Sequence, residues 1–81
     1  MFFNLADGSR FKAKTTKRGQ YLYGVAFYSE HLATAGERAG QVVGFHGLFS
    51  QHLTLKAAEA ACERFLQDSP HVVAASVVEA F

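Results

Sequence analysis

The residues best suited to chemistry lie between positions 10 and 23. Five of the chain's eight lysines and arginines fall within nine positions, and two tyrosines follow them: Arg10, Lys12, Lys14, Lys17, Arg18, Tyr21 and Tyr23. Cations that contact phosphates, beside aromatic rings that stack on bases, are the combination with which proteins bind single-stranded nucleic acid. The same residues also suit contact with a protein partner.

A third interpretation gives these cations no ligand at all. Lysines on the solvent side of an edge strand prevent edge-to-edge aggregation.

Residues 18–27 resemble the RNP1 pattern of RNA-recognition motifs. Their spacing differs from that pattern, and an Asp7-Gly8 turn stands where that fold has a helix. Protection of an edge strand is therefore the favoured interpretation of these cations, and protein contact is favoured over nucleic acid if the stretch binds a ligand.

The histidines and the cysteine predict neither a metal centre nor a catalytic site. The four histidines are His31, His46, His52 and His71. They lack the close Cys/His pairs of zinc sites, and only His31 has an acidic neighbour, Glu30. The single Cys62 falls on an apolar helix stripe, where we expect a buried structural thiol. No cofactor-binding glycine loop is present. A small ribonuclease that depends on His46 or His52 remains an alternative.

Length and composition indicate one domain, residues 1–81, with more apolar surface than it can bury. The chain has 81 residues, 49% of them hydrophobic, and a net charge of +1. A domain of this size buries only about two-thirds of its unfolded surface, so a partner or a second copy is the expected cover for the rest. No signal peptide opens the chain and no apolar run is long enough to span a membrane. We therefore expect a cytoplasmic protein without membrane contact.

The elements that would position these residues follow the order β-β-β-β-α-β. Asp7-Gly8 predicts a two-residue hairpin turn with positive φ at both positions. Residues 30–40 fit either a short helix capped by Ser29 or a wide hairpin tip, and extended chain with a flexible tip is favoured. The predicted strands are Met1–Ala6, Ser9–Thr16, Gln20–Ser29, Gln41–Phe49 and His71–Phe81, with a helix from Leu55 to about Gln67. The fold class is thus α+β, an antiparallel sheet of about five strands with one helix packed on one face.

The helix is predicted to cover only one face of this sheet. Thr54 is the expected N-cap, and one stripe contains the apolar residues Leu55, Ala58, Cys62, Phe65 and Leu66. The third strand carries Tyr21, Tyr23, Val25 and Phe27 on one face and Leu22, Ala26 and Tyr28 on the other, which predicts a central strand. Nothing else in the chain is expected to cover the second face, so we predict a C2 homodimer or a docked partner protein. The edge of Val72–Phe81 is another candidate for pairing with a second chain.

Residues 42–66, VVGFHGLFSQHLTLKAAEAACERFL, resemble the last strand and helix of the HicB-type antitoxins, in which a threonine opens an alanine-rich helix. The family's proline-rich turn is replaced here by Gly47-Leu48-Phe49. In size and build the chain is also similar to inhibitors from phages and mobile elements, including anti-CRISPR proteins. These resemblances imply a small non-enzymatic module that occludes the surface of a protein partner. The alternatives are nucleic-acid binding through Arg10–Arg18 and the histidine-dependent ribonuclease.

Overall fold

The computed structural model describes residues 1–37 and 39–81. These residues form seven strands and one helix: β1 (Phe2–Asn4), β2 (Arg10–Lys12), β3 (Thr15–Thr16), β4 (Gly19–Gln20), β5 (Tyr23–Leu32), β6 (Val42–His52), α1 (Leu55–Asp68) and β7 (Val72–Glu79). The α+β class, the antiparallel pairing and the single helix agree with the prediction. One sheet of about five strands does not form. The pairing divides into a three-stranded sheet, β6–β5–β7, and two small hairpins, β1–β2 and β3–β4.

The central strand is β5, as its apolar side chains on both faces predict. It pairs with β6 along its whole length but with β7 only as far as Ser29. The distal part of β5 and β6 therefore continues beyond β7 as a hairpin of two strands, with its tip in residues 33–41. Of the predicted tip, Arg38 lies outside the described residues. The projecting hairpin contributes to an elongated shape, 45 Å by 25 Å by 19 Å.

The helix begins where its capping residue predicts. The Thr54 backbone is extended, and its side-chain oxygen accepts a hydrogen bond from the N–H of Ala57 at 3.2 Å. This bond satisfies one of the backbone donors that the first helical turn leaves without an intrahelical partner. The helix then runs to Asp68, one residue beyond the predicted end.

The predicted apolar stripe of α1 is only partly buried. Ala58 and Cys62 are buried and Phe65 is half-buried, whereas Leu55 and Leu66 are exposed. At about 100° per residue, Leu55 and Leu66 lie at the margin of a stripe centred on Ala58 and Phe65. Both leucines lie on the same side of the stripe, and the three-stranded sheet does not cover that side, so the prediction is wrong for the two leucines.

The N-terminal hairpin β1–β2 covers one end of the face opposite α1. Phe3 is fully buried there, in a cluster with Ala13, Ala80, Leu48 and Val78. Gly24 of β5 makes room for it, because a Cβ atom at that position would lie 3.1 Å from the Phe3 ring. The expectation that nothing in the chain covers this face is therefore wrong for the end of the sheet that holds Gly24.

The hairpin is attached to both sides of the sheet. On the β7 side, Phe2 and Phe81 exchange two backbone hydrogen bonds of 2.8 and 2.9 Å. On the β6 side, the Gln51 amide accepts from the N–H of Lys14 at 2.9 Å and donates to the carbonyl of Lys12 at 3.1 Å. These bonds connect the N-terminal hairpin to both edges of the main sheet. The predicted strand Ser9–Thr16 is thus divided: its first part is β2, the N–H of Lys14 donates to Gln51, and Thr15–Thr16 pairs with β4 in a short hairpin of its own.

The turn between β1 and β2 is longer than the predicted two-residue turn. Leu5 and Ser9 close it, with a 2.9 Å bond from the Leu5 N–H to the Ser9 carbonyl. Gly8 has φ of 90°, but no described residue other than glycine has positive φ, so Asp7 does not adopt the predicted conformation. Asp7 instead accepts hydrogen bonds from the Ser9 N–H at 2.9 Å and the Ser9 hydroxyl at 2.8 Å. Both hydrogen bonds lower the pKa of Asp7, and the bond from the Ser9 backbone N–H has the larger effect.

Candidate protein-binding surface

Strand β6 is an edge of the main sheet. Within residues 1–37 and 39–81 it pairs with β5 alone. Near its start, the N–H of Ala33 donates to the carbonyl of Gln41 at 2.9 Å. Peptide groups alternate along an antiparallel strand, so those of Val42, Gly44 and His46 point away from β5. An incoming strand could bond to these groups.

This edge lacks the usual protection against unwanted pairing. Its 11 residues, VVGFHGLFSQH, include no lysine, arginine, aspartate, glutamate or proline. Natural edge strands are commonly kept short or protected by charges, proline or a covering loop. At the C-terminal end of β6, the N-terminal hairpin lies against the strand and is held there by the hydrogen bonds of the Gln51 side chain. The stretch Val42–Ser50 remains open, and we call it the open edge.

Aromatic side chains stand beside the open edge on the face that α1 covers. Phe45 is 47% exposed and Phe49 is 52% exposed. The Phe49 ring stacks on Phe65 of α1 with centroids 4.0 Å apart. Phe27 of β5 packs edge-on against both Phe65 and Phe45, at 5.3 and 5.8 Å. These four residues form one contiguous aromatic cluster, in which Phe27 and Phe65 are half-buried and Phe45 and Phe49 are exposed.

The backbone allows this cluster through a glycine and a bulge. Gly47 lies opposite Phe27, and a Cβ atom there would lie 2.7 Å from the Phe27 ring. The register then shifts by one residue, because Val25 pairs with Ser50 while Ala26 pairs with Leu48. Phe49 is the extra residue of this β-bulge, and bulges bend a strand and redirect its side chains.

The predicted partner-binding residues are only partly brought together. Lys12, Lys14 and Tyr21 line one groove of about 480 Å³, together with Phe11 and Phe49. The groove joins basic and aromatic groups as the sequence suggested, and Phe49 links it to the open edge.

The other four predicted residues do not line this groove. Arg10 stands over the ring of Phe2, with its guanidinium carbon 4.2 Å from the centroid. Lys17 and Arg18 are exposed in the β3–β4 turn. Tyr23 is half-buried in β5. They do not form one continuous platform with the lysines.

A second, smaller pocket of about 230 Å³ lies on the sheet face opposite α1. Its lining includes His46, Tyr28, Ala26 and Ala74. The Tyr28 and His46 rings are 4.8 Å apart between centroids. The Glu30 carboxylate lies where it can accept a hydrogen bond from the Tyr28 hydroxyl, and this raises the pKa of Tyr28.

The histidines do not assemble into a shared site. His52 Nε2 lies 2.7 Å from the Ser50 hydroxyl. His46 is six positions earlier in the same strand, about 20 Å away at the usual rise. Among residues 1–37 and 39–81, no three His, Cys, Asp or Glu side chains are grouped to hold a metal ion. Cys62 is buried, as predicted, and burial raises the pKa of its thiol.

No helix in the described part of the chain has the length and apolar character needed to cross a membrane. Comparison of the chain with models of protein families, with curated proteins and with solved structures finds no match in any of the three. The resemblance of residues 42–66 to HicB-type antitoxins therefore gains no support from relatives.

Phe45 and Phe49 were not predicted from the sequence as binding residues. Uncovered apolar surface was predicted, but on the aromatic residues of the third strand. One signal was available in the sequence: the run from Val42 to His52 has no charged residue. A buried central strand has the same composition, however, so this signal alone does not identify an edge.

Proposed function

We propose that this protein is a small, non-enzymatic, cytoplasmic protein-binding module that pairs through the open edge of β6. The observation that carries the proposal is an uncharged, unprotected edge strand flanked by half-exposed Phe45 and Phe49. Addition of a strand to such an edge is a common mode of protein recognition, in which main-chain hydrogen bonds supply affinity and side-chain contacts supply specificity. Occlusion of a partner's surface, as by inhibitors from phages and mobile elements, is the mode of action that fits so small a module.

The energetics favour occupation of this edge. Complete burial of a phenylalanine side chain stabilises by about 1.5–3 kcal/mol. Phe45 and Phe49 are each about half exposed, so their remaining burial supplies on the order of 2 kcal/mol together. Aromatic anchors at the centre of an interface commonly dominate its affinity.

The test compares two exposed apolar residues on opposite edges of the sheet. Phe45→Ser changes the open edge, and Val73→Ser is the matched control on β7, where Val73 is also exposed. Each tagged variant is incubated with bacterial lysate, and captured proteins are identified by mass spectrometry. We expect Phe45→Ser to lose a protein that the wild type and Val73→Ser both retain. Equal capture by all three would contradict the role of β6.

A second candidate function is binding of single-stranded nucleic acid. The observation that favours it is the groove in which Lys12 and Lys14 lie beside Tyr21 and Phe11. Binding to single-stranded DNA that collapses between roughly 50 and 200 mM salt would support it. Replacement of both groove lysines by glutamine should then abolish binding, while Lys17→Gln should not.

A further inference from the structure

We propose that in the free protein the open edge of β6 is covered by β6 of a second copy, in antiparallel orientation about a two-fold axis. The two main sheets would then join into one sheet of six strands, β7–β5–β6 followed by the same strands of the second copy in reverse order. This inference rests on the proposed function, because it names the occupant of the same edge when no other protein is bound. An unlike partner would have to displace the second copy.

The spacing of outward peptide groups limits how two copies can pair. Even-numbered residues of β6, from Val42 to His46, direct their peptide groups outward, so even-numbered residues must face each other across the axis. The open edge runs from Val42 to Ser50, and its midpoint is His46. The bulge at Phe49 turns the peptide groups of Ser50 back toward β5, so the outward groups are those of residues 42, 44, 46 and 48. One permitted register places the axis at His46, so that Gly44 of one copy lies opposite Leu48 of the other.

Charge complementarity favours a second copy as the occupant. Glu30 is exposed and is the cross-strand partner of Gly44. Leu48 lines the same groove as Lys12 and Lys14. Pairing Gly44 with Leu48 of the second copy therefore brings the Glu30 carboxylate of one copy to the groove lysines of the other. The two-fold axis generates this contact twice, while the strands between the two contacts carry no charge.

The aromatic cluster fits the same arrangement. Phe45 and Phe49 are on the helix-covered face, on either side of the axis position. Antiparallel pairing brings the pair from one copy against the pair from the other, which covers the exposed halves of four rings. A closed, self-complementary interface of this kind also leaves no open edge at β6 for further addition, so it does not propagate into a fibre.

The test exchanges charges across the predicted contact. Glu30→Lys alone and Lys12→Glu alone place like charges together at both contacts, and we expect each variant to dimerise about tenfold more weakly than the wild type. An equimolar mixture of the two variants restores opposite charges at both contacts. Sedimentation equilibrium at micromolar concentration, with one variant fluorescently labelled, should then show a heterodimer of wild-type affinity. Lys17→Glu makes the same charge change in the β3–β4 turn and should leave the dimer constant unchanged.

Three results would overturn the inference. One is a wild-type protein that remains monomeric up to about 100 μM. Another is a dimer that Glu30→Lys, Lys12→Glu and Phe45→Ser all leave intact, which would place the interface elsewhere. The third is a mixture that fails to recover the affinity of the wild type. Failure of the self-pairing can be distinguished from failure of the proposed function. A monomer that still captures a protein through Phe45 refutes only the self-pairing. A charge-dependent dimer that captures no other protein refutes only the binding of an unlike partner.

Discussion

The N-terminal hairpin should contribute a large share of the stability, and Phe3 tests this directly. Phe3 has 0% exposure, whereas its neighbour Phe2 is 36% exposed. Truncation of a buried phenylalanine to alanine costs about 3–5 kcal/mol. At 0.05–0.15 kcal/mol per residue, a domain of 81 residues has a total stability of about 4–12 kcal/mol. Phe3→Ala should therefore remove between about a quarter and all of it.

Phe2→Ala is the matched control, since it makes the same chemical change one position earlier in β1. The Phe2 ring loses its contact with the Arg10 guanidinium, 4.2 Å from the ring centroid. An exposed cation–π contact contributes about 0.5–1 kcal/mol, so the total cost should be about 1–2 kcal/mol. Urea unfolding followed by far-UV circular dichroism measures both variants. Equal losses for Phe2→Ala and Phe3→Ala would refute the assignment of Phe3 to the core.

A double-mutant cycle makes the test more specific. In Gly24→Ala the new Cβ atom would lie 3.1 Å from the Phe3 ring and 3.0 Å from Leu48 Cδ1. Overpacking of this kind costs about 1–3 kcal/mol. In the Phe3→Ala background the ring is gone, so the same glycine substitution should cost clearly less, with a coupling energy above about 0.5 kcal/mol. Additive costs would mean that Phe3 does not pack over Gly24.

Two further predictions concern local hydrogen bonds. Thr54→Ala should destabilise the protein by about 0.5–2 kcal/mol, because the N–H of Ala57 loses its capping acceptor; Thr54→Ser, measured by the same thermal melt, should restore most of the loss. Asp7→Asn should reduce stability at neutral pH, because the hydrogen bonds from Ser9 hold the pKa of Asp7 below its ordinary value of 3.8. A depressed carboxyl pKa stabilises the fold above the unfolded value, so the difference between wild type and Asp7→Asn should vanish as pH falls from about 4 through the folded pKa. A difference that persists unchanged in strong acid would contradict this origin.

Local patterns in the sequence predicted the elements whose causes are themselves local. Thr54 marks the start of α1 because its side chain bonds to a backbone group three residues on. The apolar residues on both faces of β5 predicted the central strand, and the β1–β2 hairpin forms around the predicted Asp7-Gly8 turn, although that turn is longer than expected. Each of these features depends on neighbours in the chain or on a simple repeat of side-chain direction.

Only the tertiary structure determines which apolar residues are exposed to solvent and which strand lies at the edge of the sheet. Phe2 and Phe3 are identical in type, and only the placement of the hairpin over Gly24 separates the buried ring from the exposed one. The sequence around Gln51 does not indicate that its side-chain amide will bond to the backbone of residues 12 and 14. The composition of an uncharged strand such as β6 is equally compatible with a position at the centre of a sheet and with a position at its edge. Its position depends on which strands lie beside it, and strand pairing is set by contacts between residues far apart in sequence, which no local pattern encodes.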